Sequence, residues 1–488
     1  MNRLNRLSLG NNISKRKAIF TDNFADKVRL IDEALCPDES FDIIKRKLIV
    51  AEREAVLYFV DGFIKDEVFE KMLEFWFKQK PEDLADIHDM ERFGKDKMPY
   101  VEVDATHDIK QAVTAVLSGP AIFVIDGIDG VLLIDTRTYP VRGIGEPQKD
   151  KSLRGSRDGF VETLIFNTAM IRRRIRDERL RMVYIQIGKV TKLDATICYI
   201  DGVCNGQILK KLRDKLKNLD IEGISMTQQA ISEKLVHTAF FNPFPKFKFT
   251  ERPDYASACI LDGRIVLIMD NCPTVMILPM SFPDFFRETD DYYFLPLVAS
   301  FTRIVRMIVS IFTVFCTPVY LLLVNNPEYV PKCISFIKPT VSGSIPLFIQ
   351  FILLEFIIDG LKLASLNTPD TLSSALGIVG GLLLSDFAID AGWFIIEAIL
   401  FMAFVAISGY AQPSFEMGYA MKFQRMALLV LVQLFGLFGL IGGTVLFIIG
   451  LLCMKTLSGR NYLYPIVPFD LKSFAGLFIR PSISKAKH

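Results

Sequence analysis

Five carboxylates stand where a chain has least use for charge. Glu355, Asp359, Asp386, Asp390 and Glu397 interrupt apolar runs in the C-terminal third. On insertion scales a charge at the centre of a membrane helix costs about 2.5–3.5 kcal/mol, so each one kept there needs an explanation. Glu355 and Asp359 are four apart, on one helical face. At roughly 100° per residue, Asp386, Asp390 and Glu397 fall at about 0°, 40° and 20°. Were one helix to run through Gly392, these three would form an acidic stripe. In a ring of identical subunits the stripe becomes rings of carboxylates, which attract cations and reject anions. The competing reading puts Asp386 and Asp390 in a headgroup-level turn at Gly392, leaving Glu355 and Glu397 as the better ion-pathway candidates.

A second concentration of charge is basic. Arg172, Arg173, Arg174, Arg176, Arg179 and Arg181 follow one another within ten residues. Three consecutive arginines spread over about 200° of a helix and cannot all serve one ligand. They suit anionic lipid or an acidic partner surface, or a solvated face paired with Asp177 and Glu178. Nucleic acid is a poor fit, because acids offset the arginines and a membrane region follows.

Enzyme chemistry finds no foothold. There is no GxxxxGK[ST], no GxGxxG opening a helix, and His88, His107, His237 and His488 make no ligand-spaced set. No metal, cofactor or catalytic residue is therefore expected. The eight cysteines are scattered without a CxxC pair, as in a reducing compartment.

These groups must be carried by two kinds of chain. Residues 1–302 hold 44 Lys+Arg and 46 Asp+Glu, whereas residues 303–454 hold 7 and 8. Ordinary charge density gives way to a bilayer-like one. Ala427–Met454 runs for 28 residues without Asp, Glu, Lys, Arg or His, more than the roughly 20 that cross a bilayer. Ile304–Val324, Ile345–Ile358, Leu376–Ala391 and Trp393–Tyr410 are the other apolar segments. No secretory signal is read at the start, so the N-terminal region is expected in the cytoplasm.

Within the N-terminal region a single pattern occurs twice. The strand-like AVLYFVDG (Ala55–Gly62) returns as ATICYIDG (Ala195–Gly202), each followed by a helix, Phe63–Lys78 and Gln207–Leu219. The strands AIFVID and VLLIDTR, preceded by a helix over Ile109–Leu117, return 144 residues on as RIVLIMD and TVMILP. The expected fold is an α/β cytoplasmic region of two similar subdomains, then an α-helical transmembrane domain. The divisions are a flexible tail (1–40), first subdomain (41–152), linking basic helix (153–189), second subdomain (190–295), transmembrane domain (296–456) and basic C-terminal tail (457–488).

Membrane topology poses a parity problem. Arg303 and Arg306 precede the first span, where they can snorkel to the interface; Lys455, Arg460, Lys472, Arg480, Lys485 and Lys487 follow the last. Both flanks sit inside only with an even number of crossings, yet five apolar segments are present. Four spans plus one re-entrant segment, Ile345–Ile358, reconcile the two. The run Gly436–Gly443 offers close helix packing or a hinge.

RGSRDGF (Arg154–Phe160), NTAMIRRRIRDERL after it, NPFPKFKFTERPD (Asn242–Asp254), LDGRIVLIMD (Leu261–Asp270) and the DYY stretch of Asp290–Tyr293 together resemble the GerA family of endospore germination proteins, over about residues 40–475. Ser156 and IRDERLR resemble its stage V sporulation protein AF branch more than the germinant-receptor A subunits. The resemblance implies a multi-pass protein of the spore inner membrane. Members of the family are similar to oligomeric, pentameric ion channels that release monovalent cations as germination begins. The resemblance implies as partners either B- and C-type receptor subunits or, for the AF branch, a small membrane protein. It also marks Arg154, Gly155, Arg157, Asp158, Gly159, Phe160, Arg172, Arg173, Arg174, Asn242, Pro243, Pro245, Glu251, Arg252 and Asp254 as assembly or gating residues.

Overall fold

The computed structural model describes residues 19–20, 22–138, 155–219, 227–236, 241–330, 339, 343–367 and 388–480. The chain forms two compact units, Met1–His237 with Phe249–Pro279, and Thr238–Lys248 with Met280–His488.

The first unit is built on two five-stranded sheets. The first contains β1 (Ile43–Val50), β2 (Arg53–Val60), β3 (Val103–Thr106), β4 (Ala121–Ile125) and β5 (Val131–Ile134); the second contains β6 (Leu180–Ile187), β7 (Leu193–Ile200), β8 (Lys248–Thr250), β9 (Ile265–Met269) and β10 (Val275–Leu278). Their spatial orders are the same, β1-β2-β4-β5-β3 and β6-β7-β9-β10-β8. The repeat seen in the sequence is thus a repeat of topology. It also includes β1 and β6, which the sequence pattern did not announce. β1 turns into β2 through Ala51 and Glu52, both at positive φ (50° and 64°), the two-residue hairpin geometry that usually draws Asn or Gly.

Helices cover both faces of each sheet. In the first, Leu57 packs with Phe69, Met72, Leu73 and Trp76 of α2 (Asp66–Phe77). Alternate residues point the other way: Val56 and Tyr58 pack with Ile31 and Leu35 of α1 (Phe24–Leu35), Val113 and Val116 of α4 (Ile109–Ser118), and Ala169 of α5 (Leu164–Arg174). A short helix, α3 (Met90–Asp96), completes the α2 side through Met90 and Phe93. The second sheet repeats the arrangement with α6 (Gly206–Lys217), α7 (Thr227–Leu235) and α8 (Pro253–Leu261). Cys198 lies in the field of Arg172 and Asp42, whereas its neighbour Tyr199 accepts a hydrogen bond from Arg213 of α6 at 2.8 Å. Helix α5 therefore lies between the sheets, and α2 and α6 cover their outer faces.

One expectation is corrected here. The stretch read as a flexible tail contains α1, capped by the Asn23 side chain on the Ala25 and Asp26 amides. Lys27, buried in it, donates to the Ile128 carbonyl at 2.7 Å. Burial pushes the Lys27 ammonium below its ordinary pKa, against the pull of Asp129 and Asp22.

The second unit is helical: α9 (Pro296–Asn325), α10 (Leu347–Asn367), α11 (Ile396–Tyr410), α12 (Phe415–Cys453) and α13 (Leu471–Phe478). Among the described residues, α9 and α12 are long and apolar enough to cross a membrane. Ile345–Ile358, expected as a re-entrant segment, overlaps the 21-residue helix α10, about 31 Å long.

Helix α12 is two limbs. Gly436 has φ 56° and ψ −130°, outside helical geometry. A Cβ on Gly439 would fall on the Leu431 carbonyl, and one on Gly443 would stand 2.6 Å from the Leu428 side chain. Residues eight apart in a straight helix are about 12 Å apart, so these contacts require the chain to reverse. The glycine run serves as hinge and as close-packing surface together. Gln412 reaches Ser310 at 2.7 Å and Gln433 reaches Asn325 at 3.5 Å, so the first limb runs parallel to α9 and the second returns. Beyond it, Tyr462 accepts the Phe282 amide at 2.8 Å and Gly476 accepts Arg303 at 3.3 Å. Both basic flanks consequently lie at one end of this unit, and the region expected as a basic tail carries α13.

Candidate functional site

In the first unit the family-like segments converge on Ser156. Arg174 reaches the Ser156 hydroxyl at 2.9 Å and Asp158 at 2.5 Å. Arg252, 1% exposed, pairs with Asp254 at 3.0 and 2.5 Å and reaches the Ser156 carbonyl at 3.0 Å. The Glu251 carbonyl accepts the Phe160 amide at 2.8 Å. Gly159 and Phe160 are buried, Arg157 is exposed, Gly155 is exposed at φ 108°, and Arg173 is half-buried. Arg154 lies outside the described residues.

Arg172 is fully buried. Its fork meets Asp42 at 2.7 and 3.1 Å, and it also reaches the Ser40 hydroxyl at 3.2 Å and the Leu180 carbonyl at 3.3 Å. Ser40 in turn donates to Asp42 at 2.7 Å and accepts the Met182 amide at 3.0 Å. A planar guanidinium satisfied on several sides fixes α5 against both copies. Sequence reasoning missed Asp42 because its partner lies 130 residues away.

Asn242, Pro243 and Pro245 belong to the second unit. Asn242 donates to the Met454 sulfur at 3.2 Å, and the Pro245 carbonyl accepts the Tyr462 hydroxyl at 2.5 Å. Arg303 and Arg306 do not snorkel. Both are buried on Asp291: Arg303 at 2.9 Å, Arg306 at 2.7 and 3.2 Å. Burial works to raise the Asp291 pKa, but Arg306 and Arg303 outweigh it and hold the carboxyl below its ordinary range.

The carboxylates of the apolar region have separate fates. Glu355, 2% exposed, is held by Arg425 at 2.7 and 2.5 Å and by Lys422 at 3.2 Å, both from the first limb of α12. Lys422 also bonds Asp359, and Arg425 donates to the Thr313 carbonyl of α9 at 2.9 Å. Charge inside an apolar setting is thus neutralised within one chain. A usable signal existed: Lys422 and Arg425 share a helical face, matching the Glu355–Asp359 pair. The helix does not run through Gly392, which takes φ 68° in a turn, so no continuous helical stripe forms. Asp390 is exposed in that turn, and Glu397 is half-buried in the first turn of α11, within the electrostatic reach of Tyr320. Asp386 lies outside the described residues.

Comparison with known proteins covers nearly the whole chain. The family model described as Bacillus/Clostridium GerA spore germination protein matches residues 31–488. Stage V sporulation protein AF of Bacillus subtilis is 32% identical over 453 residues, covering 92% of this chain and 90% of that protein. Spore germination protein KA of the same organism is 28% identical over 438 residues (88% and 80%), and its spore germination protein A1 is 26% identical over 447 (91% and 91%). Among solved structures, the N-terminal domain of the A subunit of the Bacillus megaterium spore germinant receptor GerK3 matches with 26% identity and a TM-score of 0.43, covering 55% of this chain and 99% of that one. This chain belongs to the GerA family of spore germination proteins.

Proposed function

We propose that this protein is the membrane subunit of a spore germination complex and, as an oligomer, conducts monovalent cations out of the spore during germination. The observation that carries this reading is the placement of the carboxylates in the apolar region. Glu355 is spent on Lys422 and Arg425, while Asp390 is exposed and Glu397 half-buried at one end of α11. Ile396, Leu400 and Ile407 on the same helix are also exposed. In a ring, with five copies as the expected number, Asp390 and Glu397 form the carboxylate rings that concentrate cations. The protein acts without enzymatic chemistry, in the spore inner membrane, with its first unit on the cytoplasmic side. The shared end of both basic flanks favours an even number of crossings, with four as the expected count and both limbs of α12 among them. B- and C-type receptor subunits, or a small membrane protein of the AF kind, complete the complex.

The test is flux from liposomes loaded with K⁺ or Na⁺. Purified oligomer passes the ion, and Glu397→Gln alters conductance or selectivity; a verified oligomer without flux sinks the reading. A second reading, a non-conducting scaffold that assembles other germination proteins, is favoured by the internal neutralisation of Glu355. Under it Glu397→Gln is silent and loss of the chain disperses its partners.

A further inference from the structure

The two outer helices of the first unit are topological counterparts, since α2 follows β2 as α6 follows β7. Their surfaces carry opposite charge. α2 exposes Asp66, Glu67, Glu70 and Glu74 against Lys71; α6 exposes Lys210, Lys211 and Lys217 against Asp214. Beside α6, an open groove of about 660 Å³ is lined by Lys210, Lys211, Lys215 and Lys234, with Asp214 as its acid. Burial, then the neighbouring Lys211, pushes Lys215 below its ordinary pKa.

Among the described residues, neither Asp66, Glu67 and Glu70 nor Lys210, Lys211, Lys217 and Lys234 enters an ion pair. Glu74 meets Lys78 at 4.0 Å with both side chains well exposed, a contact of little energetic weight. Nor can one face reach the other, because α2 and α6 cover outward faces of different sheets with α5 between them. An acidic face on one side and a basic face on the other is the arrangement of a head-to-tail contact, which repeats from copy to copy and closes when its rotation permits.

We propose that the acidic face of α2 docks on the lysine groove of α6 in a second copy of this chain. The proposal rests on the oligomer in the functional reading above and names the contact that builds it. Acid patch against basic patch supplies register and encounter rate more than raw affinity. The contact is accordingly sensitive to salt, as exposed charges beyond a Debye length of about 8 Å are screened at physiological ionic strength.

The experiment is self-association of the full chain in detergent, followed by sedimentation at low and high salt. One variant carries Glu67→Lys, Glu70→Lys and Glu74→Lys; another carries Lys210→Glu, Lys211→Glu and Lys217→Glu; a third carries both sets. Each single set weakens association about tenfold or more at low salt, and the combined chain recovers most of it, as expected when charge sign alone is exchanged. All six positions are exposed, so thermal unfolding should change little. Wild-type association in both single sets, or no recovery in the combined chain, overturns the proposal. An effect from the lysine set alone also overturns it, assigning the groove to another polyanion. A monomeric wild type removes the oligomer itself, whereas an oligomer indifferent to both sets removes only this contact.

Discussion

Two arginines, Arg172 and Arg425, are buried against carboxylates in different surroundings. Arg172 and Asp42 lie inside an α/β unit, 0% and 1% exposed, with Ser40 and backbone carbonyls filling the remaining geometry. Arg425 and Glu355 lie in a helical unit, their side chains 4% and 3% exposed, with Lys422 and Asp359 adding a second pair. The first site is a single pair closed by neutral groups. The second is a network in which either cation can partly cover for the other. The contrast shows two ways to keep charge out of water: saturate one fork completely, or distribute the charge over several partners.

The comparison can be broken most forcefully at Arg172. Replacing it by Met leaves Asp42 buried without its cation, and a loss of about 3–5 kcal/mol is expected. Unfolding of the full chain in detergent measures it, and adding Asp42→Leu should return much of the loss. Lys422→Met in the helical unit should cost less, about 1.5–3 kcal/mol, because Arg425 still holds Glu355 and Asp359 is partly exposed. If the second loss equals the first, the network does not share its load.

A pH series sharpens the same contrast at Asp291. Its folded pKa is held below the ordinary range by Arg306 and Arg303 against burial. The unfolded chain then binds the proton more readily, so the stabilisation is complete above the ordinary aspartate pKa of about 3.9 and is lost as pH falls through the lower folded value. Asp291→Asn should flatten that acid limb of the unfolding profile; an unchanged limb assigns it to other groups. Glu288 opposes the trend. Burial raises its pKa despite Arg306, so its contribution fades as pH rises. The smallest effect is expected at Arg174, whose pair with Asp158 is 20% and 26% exposed. Arg174→Gln should cost about 1 kcal/mol or less, and less still in high salt.

The repeat was legible because its core strands are distinctive. AVLYFVDG and ATICYIDG keep their length, a tyrosine among apolar residues and the terminal Asp-Gly turn, and burial keeps most strand positions apolar. β1 escaped because IIKRKLIV is rich in charge and its turn, Ala51-Glu52, lacks the residues that advertise positive φ. Helix α1 was hidden in a charged stretch whose buried positions include a lysine. In the apolar region, hydropathy located Ala427–Met454, and the run Gly436–Gly443 offered a hinge without singling out Gly436 as the residue that divides it. The carboxylates were conspicuous, yet their partners were not, since Glu355 and Arg425 are 70 residues apart. Distance along the chain, rather than weakness of chemistry, concealed the pairings.

The reversal at Gly436 has a consequence for how this stretch of the chain enters lipid. Its first limb, Phe415–Phe435, would measure about 31 Å and its second, Leu437–Cys453, about 25 Å. A single glycine joins them, so no hydrophilic connector has to be dragged through the hydrocarbon. The pair can slip in as one wedge, leading with its bend, while the far ends of both limbs stay together on one side of the hydrocarbon.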